Sequence, residues 1–538
     1  MSNKYIIIIP ARAGSKGIPK KNVRPMAGKP LISYSIELAL KVPNATVILT
    51  TDDQELITIG NSFTGLLIRE RPLELCNDSV PLDPVILDAA EWAKEQNISY
   101  ESIITLQPTS PTLTLESINK ALNIFESKDC KTLITAKEDI HLRWEQKNNQ
   151  FTPLYSERVN RQLLPKEYKE TGAYVICEKE QLLKNKTRIS SSIELCVLPE
   201  KESIDIDTQF DWVLAEHILQ KKKIYYYLVG SKKLGLGHAY NACELAYQLT
   251  DFEFHFFTDS TQDLAVDFLK NRFFDVTTVN DKSDFINKCQ IDQPRLVIND
   301  ILDTDAEYMK ELSSLKSKVV NFEDLGPGHS LADLTINALY KENNDDPKNL
   351  LSGPKFFLIR EQFKHTTPRP IESEIKNILL SFGGVDPSNN TQKVLDYLSK
   401  PNKKYNITVI LGRGYQHDLK LNGDIKVLHN VTNMATLMNS ADLIFTSAGR
   451  TIYEVAAIGV PTIVLAQNQR ELLHYFANEK YGFINLGLGS NVTDQSLNQA
   501  IDKISNQKFR IENRQKMLAN EIINGPQNIS KSIRNLLT

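Results

Sequence analysis

Five basic side chains, Arg12, Lys16, Lys20, Lys21 and Arg24, crowd a short stretch near the amino end, and Gly14 and Gly17 lie among them. Glycine lets backbone N–H groups come close to an anion, and the cations offset the charge of a polyphosphate. The run follows the apolar segment Tyr5–Ile9, so it leaves the carboxyl end of a buried strand, where open α/β sheets bind their ligands. It matches neither GxxxxGK[ST] nor GxGxxG, so what it predicts is anion binding by its own arrangement. A solvated basic loop is the competing reading; the glycines and the strand favour the anion site.

A second group of candidates lies at Ser203-Ile204-Asp205-Ile206-Asp207-Thr208. In an extended segment residues two apart face the same side, so Asp205 and Asp207 can present two carboxylates to one Mg2+. Magnesium takes few carboxylates and completes its shell with phosphate oxygens, which suits a nucleoside triphosphate. Against this, Asp207 or Thr208 could simply cap the helix that follows.

Further along, Gly235-Leu236-Gly237-His238 lies between a strand and a helix. An imidazole there could donate to phosphate or activate water, although an isolated histidine in a loop is as readily structural. Ser381-Phe382-Gly383-Gly384-Val385-Asp386 and Ser447-Ala448-Gly449-Arg450 each follow a strand and open a helix. Small residues at such a point favour a diphosphate, which singles out Gly384, Ser447 and Gly449. Glu454, one turn into its helix, could bond ribose hydroxyls or merely face water. Asn468, in Ala466-Gln467-Asn468-Gln469, could accept from sugar hydroxyls.

The elements that must position these residues are legible as short, continuously apolar runs alternating with helical patterns. Strand candidates in the first 220 residues are Tyr5–Ile9, Val47–Leu49, Ile103–Leu106, Thr132–Ala136 and Ala173–Cys177, with a helix over Leu31–Val42 between the first two. Apolar runs without alternation are strands covered on both faces, which means an α/β layered domain with a mostly parallel sheet. After the helix Phe210–Leu219, a new strand at Tyr225–Val229 repeats the opening pattern, and Phe254–Phe257, Leu296–Ile298 and Val319–Phe322 continue it. The stretch His365–Pro370 reads as a linker, followed by strands at Ile378–Leu380, Ile407–Leu411, Leu443–Thr446 and Thr462–Leu465. Two α/β units joined by a linker make a cleft of the kind that holds nucleotides. The predicted domains are 1–222, 223–370 and 371–538.

Composition narrows the classes. With 63 Lys plus Arg against 66 Asp plus Glu, the net charge of -3 argues against a nucleic-acid binder. No apolar run approaches the ~20 residues of a membrane span, and the opening segment is too short for a signal-peptide core. Six scattered cysteines without CxxC or Cys/His pairing predict free thiols and a cytoplasmic protein.

From Tyr5 to about Leu219 the sequence resembles the acylneuraminate cytidylyltransferases, which activate sialic-acid-like sugars as CMP conjugates. The matching pieces are IIPARAGSKGIPKKN at 8–22, GKPLISYSIE at 28–37, TTDD at 50–53, RP at 71–72 with NDS at 77–79, LQPTSP at 106–111, RQLLP at 161–165, TGAYVI at 171–176 and SIDIDTQFDW at 203–212. The related enzymes for the octulosonic sugar lack the GSK loop and the KN that follows. The resemblance implies that Arg12, Lys16, Lys21 and Asn22 bind the CTP phosphates and ribose-phosphate region, with Lys21 stabilising charge at the α-phosphate. It puts Arg71 and Ser79 near cytosine or ribose, Gln107 at the sugar, Arg161 at the acid's carboxylate, and Asp205 and Asp207 at Mg2+. No proton acceptor for the attacking hydroxyl is evident; Asp207 is the candidate. The resemblance also implies a homodimer, with the region around 140–165 crossing to the partner; His141 and Trp144 fall in the segment of the family's sugar-side loop, with core or surface packing the equal alternative.

Residues 225–538 resemble glycosyltransferase-B-like nucleotide-sugar enzymes, closest to the UDP-sugar hydrolase of pseudaminic acid synthesis and its spore-coat relatives. VVNFEDLGPGH at 319–329 and LSGPKFFLIREQF at 351–363 add to the match. In that family the histidine after GxG is the proposed catalytic residue and GHxxR follows. Here Asn241 stands where that arginine would be, and Arg450 replaces a small residue in the diphosphate loop. The fold expected is a nucleotidyltransferase Rossmann-like domain followed by a two-lobed glycosyltransferase-B-like region. The function expected is bifunctional: CMP transfer from CTP to a sialic-, legionaminic- or pseudaminic-type nonulosonic acid, and hydrolysis at His238 of a UDP-linked diacetamido sugar. A C-terminal glycosyltransferase and a non-catalytic nucleotide-sugar-binding module are the alternatives.

Overall fold

Ile6, Ile7, Ile8 and Ile9 are wholly buried, and they divide between two cores. Ile7 and Ile9 pack with Ile32, Leu49 and Ile118, whereas Ile6 and Ile8 pack with Ile86, Ala90 and Tyr100. A strand whose side chains alternate between two covered faces has no polar side, which is why the run is continuously apolar. The computed structural model describes residues 4–538 except 15–16, 78, 129, 232–233, 342–348 and 401–404. Lys16 therefore lies outside the described residues. The chain divides into two compact units, 1–221 and 222–538.

In the first unit, β1 (Tyr5–Pro10), β2 (Ala45–Thr51), β3 (Leu66–Glu70), β4 (Ser102–Leu106), β5 (Thr132–Glu138), β6 (Tyr168–Glu178) and β7 (Ile193–Val197) form one sheet. Their order across it is β7-β5-β6-β4-β1-β2-β3. β1 is flanked in parallel by β2 and β4, and only β6 runs against its neighbours. The carboxyl ends of β1, β2 and β4 thus open on the same side, one beside another. Helices at Leu31–Ala39, Leu82–Glu95 and Leu115–Ser127 cover the faces. An exposed hairpin, Trp144–Lys147 with Gln150–Pro153, stands away from the sheet.

The second unit has two all-parallel sheets. The first lobe orders β8 (Lys222–Leu228), β9 (Phe252–Asp259), β10 (Val276–Val279), β11 (Leu296–Asp300), β12 (Lys318–Phe322), β13 (Leu334–Asn337) and β14 (Leu350–Ser352) as β10-β9-β8-β11-β12-β13-β14. The second lobe orders β15 (Asn377–Ser381), β16 (Asn406–Leu411), β17 (Ile425–His429), β18 (Leu443–Thr446), β19 (Thr462–Ala466) and β20 (Ile484–Leu488) as β17-β16-β15-β18-β19-β20. These are the two Rossmann-like lobes of a glycosyltransferase-B-like fold. His365–Pro370 connects them, between the short helix Glu361–Lys364 and β15.

The last helix departs from the boundary expected at 371–538. Gly525–Leu537 returns to the first lobe, where Ile529, Ile533 and Leu537 join Ile224, Leu245 and Ile298 in one core. Those three residues recur every four positions and form a single apolar stripe, which needs a covered surface. The Arg295 guanidinium donates to the Leu537 carbonyl at 2.7 Å and secures the end. All six cysteines are free. Among the described residues no helix is long and apolar enough to cross a membrane.

Candidate functional site

Pro10 ends β1, and the next residues are tied down at once. The Ala11 N–H donates to the Thr50 carbonyl at 3.0 Å, and the Ala13 N–H to Asp52 Oδ1 at 3.1 Å. Both partners lie at the end of β2, so the basic loop is laid across the carboxyl edge of the sheet. It meets the paired-aspartate segment there. The Lys21 Nζ donates to the Ile206 carbonyl and lies 3.6 Å from Asp207 Oδ1. Gly17 approaches more closely still: a Cβ at this position would lie 2.3 Å from the Asp207 carbonyl oxygen. No side chain fits at that distance, so the close approach itself requires glycine.

The 205–207 segment is held from the other side by the loop after β4, where the Ile206 N–H donates to the Thr109 carbonyl at 3.0 Å. The helix that follows, Gln209–Gln220, is capped by a reciprocal pair. The Thr208 side chain accepts from the Asp211 N–H, and Asp211 Oδ2 accepts from the Thr208 N–H at 2.8 Å. Capping therefore falls to Thr208 and Asp211 rather than Asp207. Asp205 is more enclosed than Asp207. Burial, with the neighbouring charges of Asp207 and Asp211, pushes its carboxyl up against the opposing pull of the Thr109 hydroxyl and Lys21. Gly172, at φ +70, faces the same spot; a Cβ there would lie 3.2 Å from Asp205 Oδ2 and 3.7 Å from Gln107 Nε2. Gln107 and Asp205 thus border one space over the sheet edge.

These residues fit a divalent, oxygen-seeking cation. The nearby carboxylate of Asp207 adds to the cost of ionising Asp205, and a bound Mg2+ would relieve it. No cluster of three or more His, Cys, Asp or Glu side chains that could hold a metal ion occurs among the described residues. Orphaned buried polar atoms include Asn22 Oδ1 and Arg71 Nε. Each costs about 1–3 kcal/mol unless a partner arrives.

The remaining predicted residues of this unit divide. Asn22 is buried, and its carbonyl accepts from the Ile32 N–H at 3.0 Å, which starts the helix Leu31–Ala39 from the basic loop. Arg12 sits at the loop's beginning, half-buried. Arg71 is buried and donates to the Ala11 and Thr50 carbonyls at 3.1 and 2.9 Å, so it braces the ends of β1 and β2 from beneath. Burial pulls its guanidinium down, offset in part by Asp52. Ser79 is exposed, its N–H donating to Asn77 Oδ1 at 3.2 Å. Arg161 is exposed at the start of a short turn, Arg161–Leu163, and no described hydrogen bond joins its side chain to the loop. His141 pairs with Asp139 at 3.0 Å, and Trp144 packs edge-on against Tyr155. Asp52 and Gly172 were not singled out from sequence; the TTDD and TGAYVI segments contain them.

In the second unit, His238 is the second residue of the helix Gly237–Gln248 and is buried. Its Nδ1 lies 2.6 Å from Oδ1 of Asp300, the last residue of β11, which leaves Nε2 as the other ring nitrogen. Asp300 Oδ2 accepts from the Tyr226 hydroxyl at 2.9 Å and from Asn241 Nδ2 at 3.2 Å. Burial pulls the imidazole down, but the charge and hydrogen bond of Asp300 outweigh it and the net direction is up. Asp300 stands at a strand's carboxyl end, a position that could have drawn attention to it in the sequence.

The loops of the second lobe face this dyad. Gly384 lies against Gly235, with a Cβ there 3.7 Å from the Gly235 Cα. Gly449 accepts no side chain freely, since a Cβ would meet Glu471 Oε1 at 3.0 Å. Glu471 also takes the Gln467 N–H at 2.8 Å and interacts with Ser447 and the Ala448 N–H. The donors at this helix start, where a diphosphate was expected, are thus met by the chain's own carboxylate. Glu454 pairs with Arg360 at 2.7 Å rather than standing open toward a ribose. Asn468 is exposed, and its Oδ1 accepts from the Glu471 N–H at 3.0 Å. Glu471 lay in no quoted motif, and Arg360 lay within LSGPKFFLIREQF without being singled out; only the fold brings them to these loops.

The sequence pattern of the cytidylyltransferase family matches residues 6–228, and that of the glycosyltransferase family 28 C-terminal domain matches 379–533. An uncharacterized protein of Methanocaldococcus jannaschii is 35% identical over 265 residues, covering 45% of this chain and 54% of that protein. The chain thus spans about half the length of that relative. The CMP-N,N'-diacetyllegionaminic acid synthase of Legionella pneumophila is 27% identical over 226 residues, covering 40% of this chain and 97% of its own. The pseudaminic acid cytidylyltransferase of Campylobacter jejuni is 31% identical over 220 residues, covering 40% of this chain and 95% of its own. With that identity across nearly the whole of a relative, the chain belongs to the cytidylyltransferase family.

Proposed function

We propose that the first unit transfers CMP from CTP to a nonulosonic acid of the sialic, legionaminic or pseudaminic type, releasing pyrophosphate. The observation that carries this reading is the meeting of Lys21 and Gly17 with Asp207 at the carboxyl edge of the sheet. The anomeric hydroxyl oxygen forms a bond to the α-phosphorus as the bond to the β-phosphate's bridging oxygen breaks. Lys21 offsets the charge gathering on the α-phosphate, and the backbone around Gly14 and Gly17 takes the leaving phosphates. Gln107, beside Asp205, orients the sugar. Asp205 and Asp207 would hold Mg2+, which supplies charge neutralisation to the triphosphate when bound. Asp207, the more exposed carboxylate, is the proton acceptor within reach of the same space. Positioning and charge neutralisation account for the catalysis. The region around 140–165, with Trp144, Phe151 and Leu163 exposed, is the part through which a homodimer would form.

The test is a panel of nonulosonic acids offered with CTP and Mg2+, scored by pyrophosphate release. One or two acids should give turnover that depends on both CTP and Mg2+. Release from none, with the protein folded, overturns the reading.

For the second unit we infer a reaction on a UDP-linked diacetamido sugar, with hydrolysis favoured by the buried His238–Asp300 pair. Nδ1 held by a carboxylate fixes the ring and directs Nε2 to a water or leaving oxygen. Free UDP and free sugar formed without an acceptor support hydrolysis. An absolute acceptor requirement makes the unit a glycosyltransferase, and binding without turnover makes it a binding module.

A further inference from the structure

Arg450 precedes the helix Thr451–Ile458 in the second lobe, yet its half-buried side chain reaches residues of the first. Nη1 donates to Glu323 Oε1 at 2.6 Å, and Nη2 donates to Asn241 Oδ1. Its face lies 4.7 Å from the Phe357 ring centroid. The stem passes Gly237, where a Cβ would come within 2.7 Å of Arg450 Cδ. A buried charge persists only when paired and hydrogen-bonded, so this insertion needs Glu323 and Asn241. From Asn241 the bonds run on: its Nδ2 donates to Asp300 Oδ2, and Asp300 Oδ1 holds His238 Nδ1. Guanidinium, amide, carboxylate and imidazole form one chain of contacts that begins in one lobe and ends in the other.

We propose that Arg450 is a positioning residue for His238, carried across the cleft by the second lobe, so that the imidazole is correctly oriented and surrounded only when the two lobes are engaged. This rests on the reading of the second unit as a UDP-sugar enzyme that uses His238. Asn241 occupies the place where the resembling family carries an arginine, and Arg450 occupies the place of a small residue. The guanidinium missing from position 241 arrives at that position's amide from the opposite lobe. A second arginine of the same lobe, Arg470, clasps Asp303 through two contacts of 2.9 Å and helps keep the lobes engaged.

The sign of the effect follows from the groups around the ring. Asp300 from β11 and Glu323 after β12 favour the charged imidazole, and Arg450 opposes it; the Tyr226 hydroxyl from β8 acts through Asp300. Removing the guanidinium leaves both carboxylates unopposed and moves the titration of His238 upward.

The experiment follows the histidine ring resonances of the full chain by NMR through a pH titration, with His238→Gln identifying the signal, alongside UDP release from a UDP-linked sugar. Arg450→Gln should shift the His238 titration upward and lower UDP release about tenfold or more, as expected for a lost charge-assisted bond. Asn241→Arg added to Arg450→Gln should move both readouts back toward wild type. Arg450→Lys, which keeps the charge without the fork, should shift the titration less than Arg450→Gln does. An unmoved His238 titration in Arg450→Gln, or a double variant that merely tracks the single one, overturns the proposal. A wild-type protein that releases no UDP overturns the proposed reaction alone, because the ring titration still reads the influence of Arg450.

Discussion

Gly17→Ala tests whether the basic loop and the aspartate pair must touch. The added methyl would stand 2.3 Å from the Asp207 carbonyl oxygen and 3.5 Å from its carbon. The obstacle is backbone on both sides, so no flexible side chain can swing away. To reach even a 3.0 Å contact, the loop and the 205–207 segment must separate by roughly 0.7 Å, and a misplacement near 1 Å costs on the order of 100-fold in rate. The separation also pulls Lys21 from its anchor on the Ile206 carbonyl and from Asp207. Pyrophosphate release with CTP, Mg2+ and the accepted nonulosonic acid should therefore fall about 10- to 100-fold, mostly in kcat. The sheet core is untouched, so the unfolding temperature should hold near that of the parent. A variant within twofold of the parent rate would show that the two segments need not meet, and the mechanism built on that meeting would be wrong.

Other expectations follow from the same geometry. Asp207→Asn should abolish CMP transfer while the circular dichroism spectrum and melting temperature stay the same, because Thr208 and Asp211 still cap the following helix; normal turnover would remove Asp207 from the site. His238→Ala should end UDP release and leave pyrophosphate release intact, and persistent UDP release would place the chemistry elsewhere in the second unit. Burial pushes the Glu471 and Glu244 carboxyls up to about 7. Such acids hold protons more tightly folded than unfolded, so their stabilisation is complete below the ordinary carboxyl range and disappears as the pH rises through about 7. Melting of the second unit between pH 5 and 8 should show this fall, and Glu471→Gln should make it shallower. An unchanged slope would mean that Glu471 is not the buried acid described.

The sequence alone went far for strands and for residues close together in the chain. Tyr5–Ile9 had to be a covered strand because it has no polar side, and the glycines and cations after it had to lie at that strand's carboxyl end. Local geometry likewise put Asp205 and Asp207 on one side of an extended segment. The final helix was different. Its apolar stripe was visible in Ile529, Ile533 and Leu537, but nothing local said that the covering surface lay some 300 residues earlier, against Ile224 and Leu245.

Whether separate motifs share a site is decided by contacts between distant residues, and those depend on how the sheets order their strands. Placing β1 between β2 and β4 brings Gly17 and Lys21 to Asp207. The same logic gave Arg71 a bracing role beneath the loop, set Glu471 in the loop where the sequence suggested a diphosphate, and turned Glu454 toward Arg360. Arg450 is the plainest case. In the sequence it was a departure from a pattern, but two packed lobes make it the first link of a chain that ends on His238. Period and composition describe what one segment will bury; which other segment answers it is a property of the folded whole.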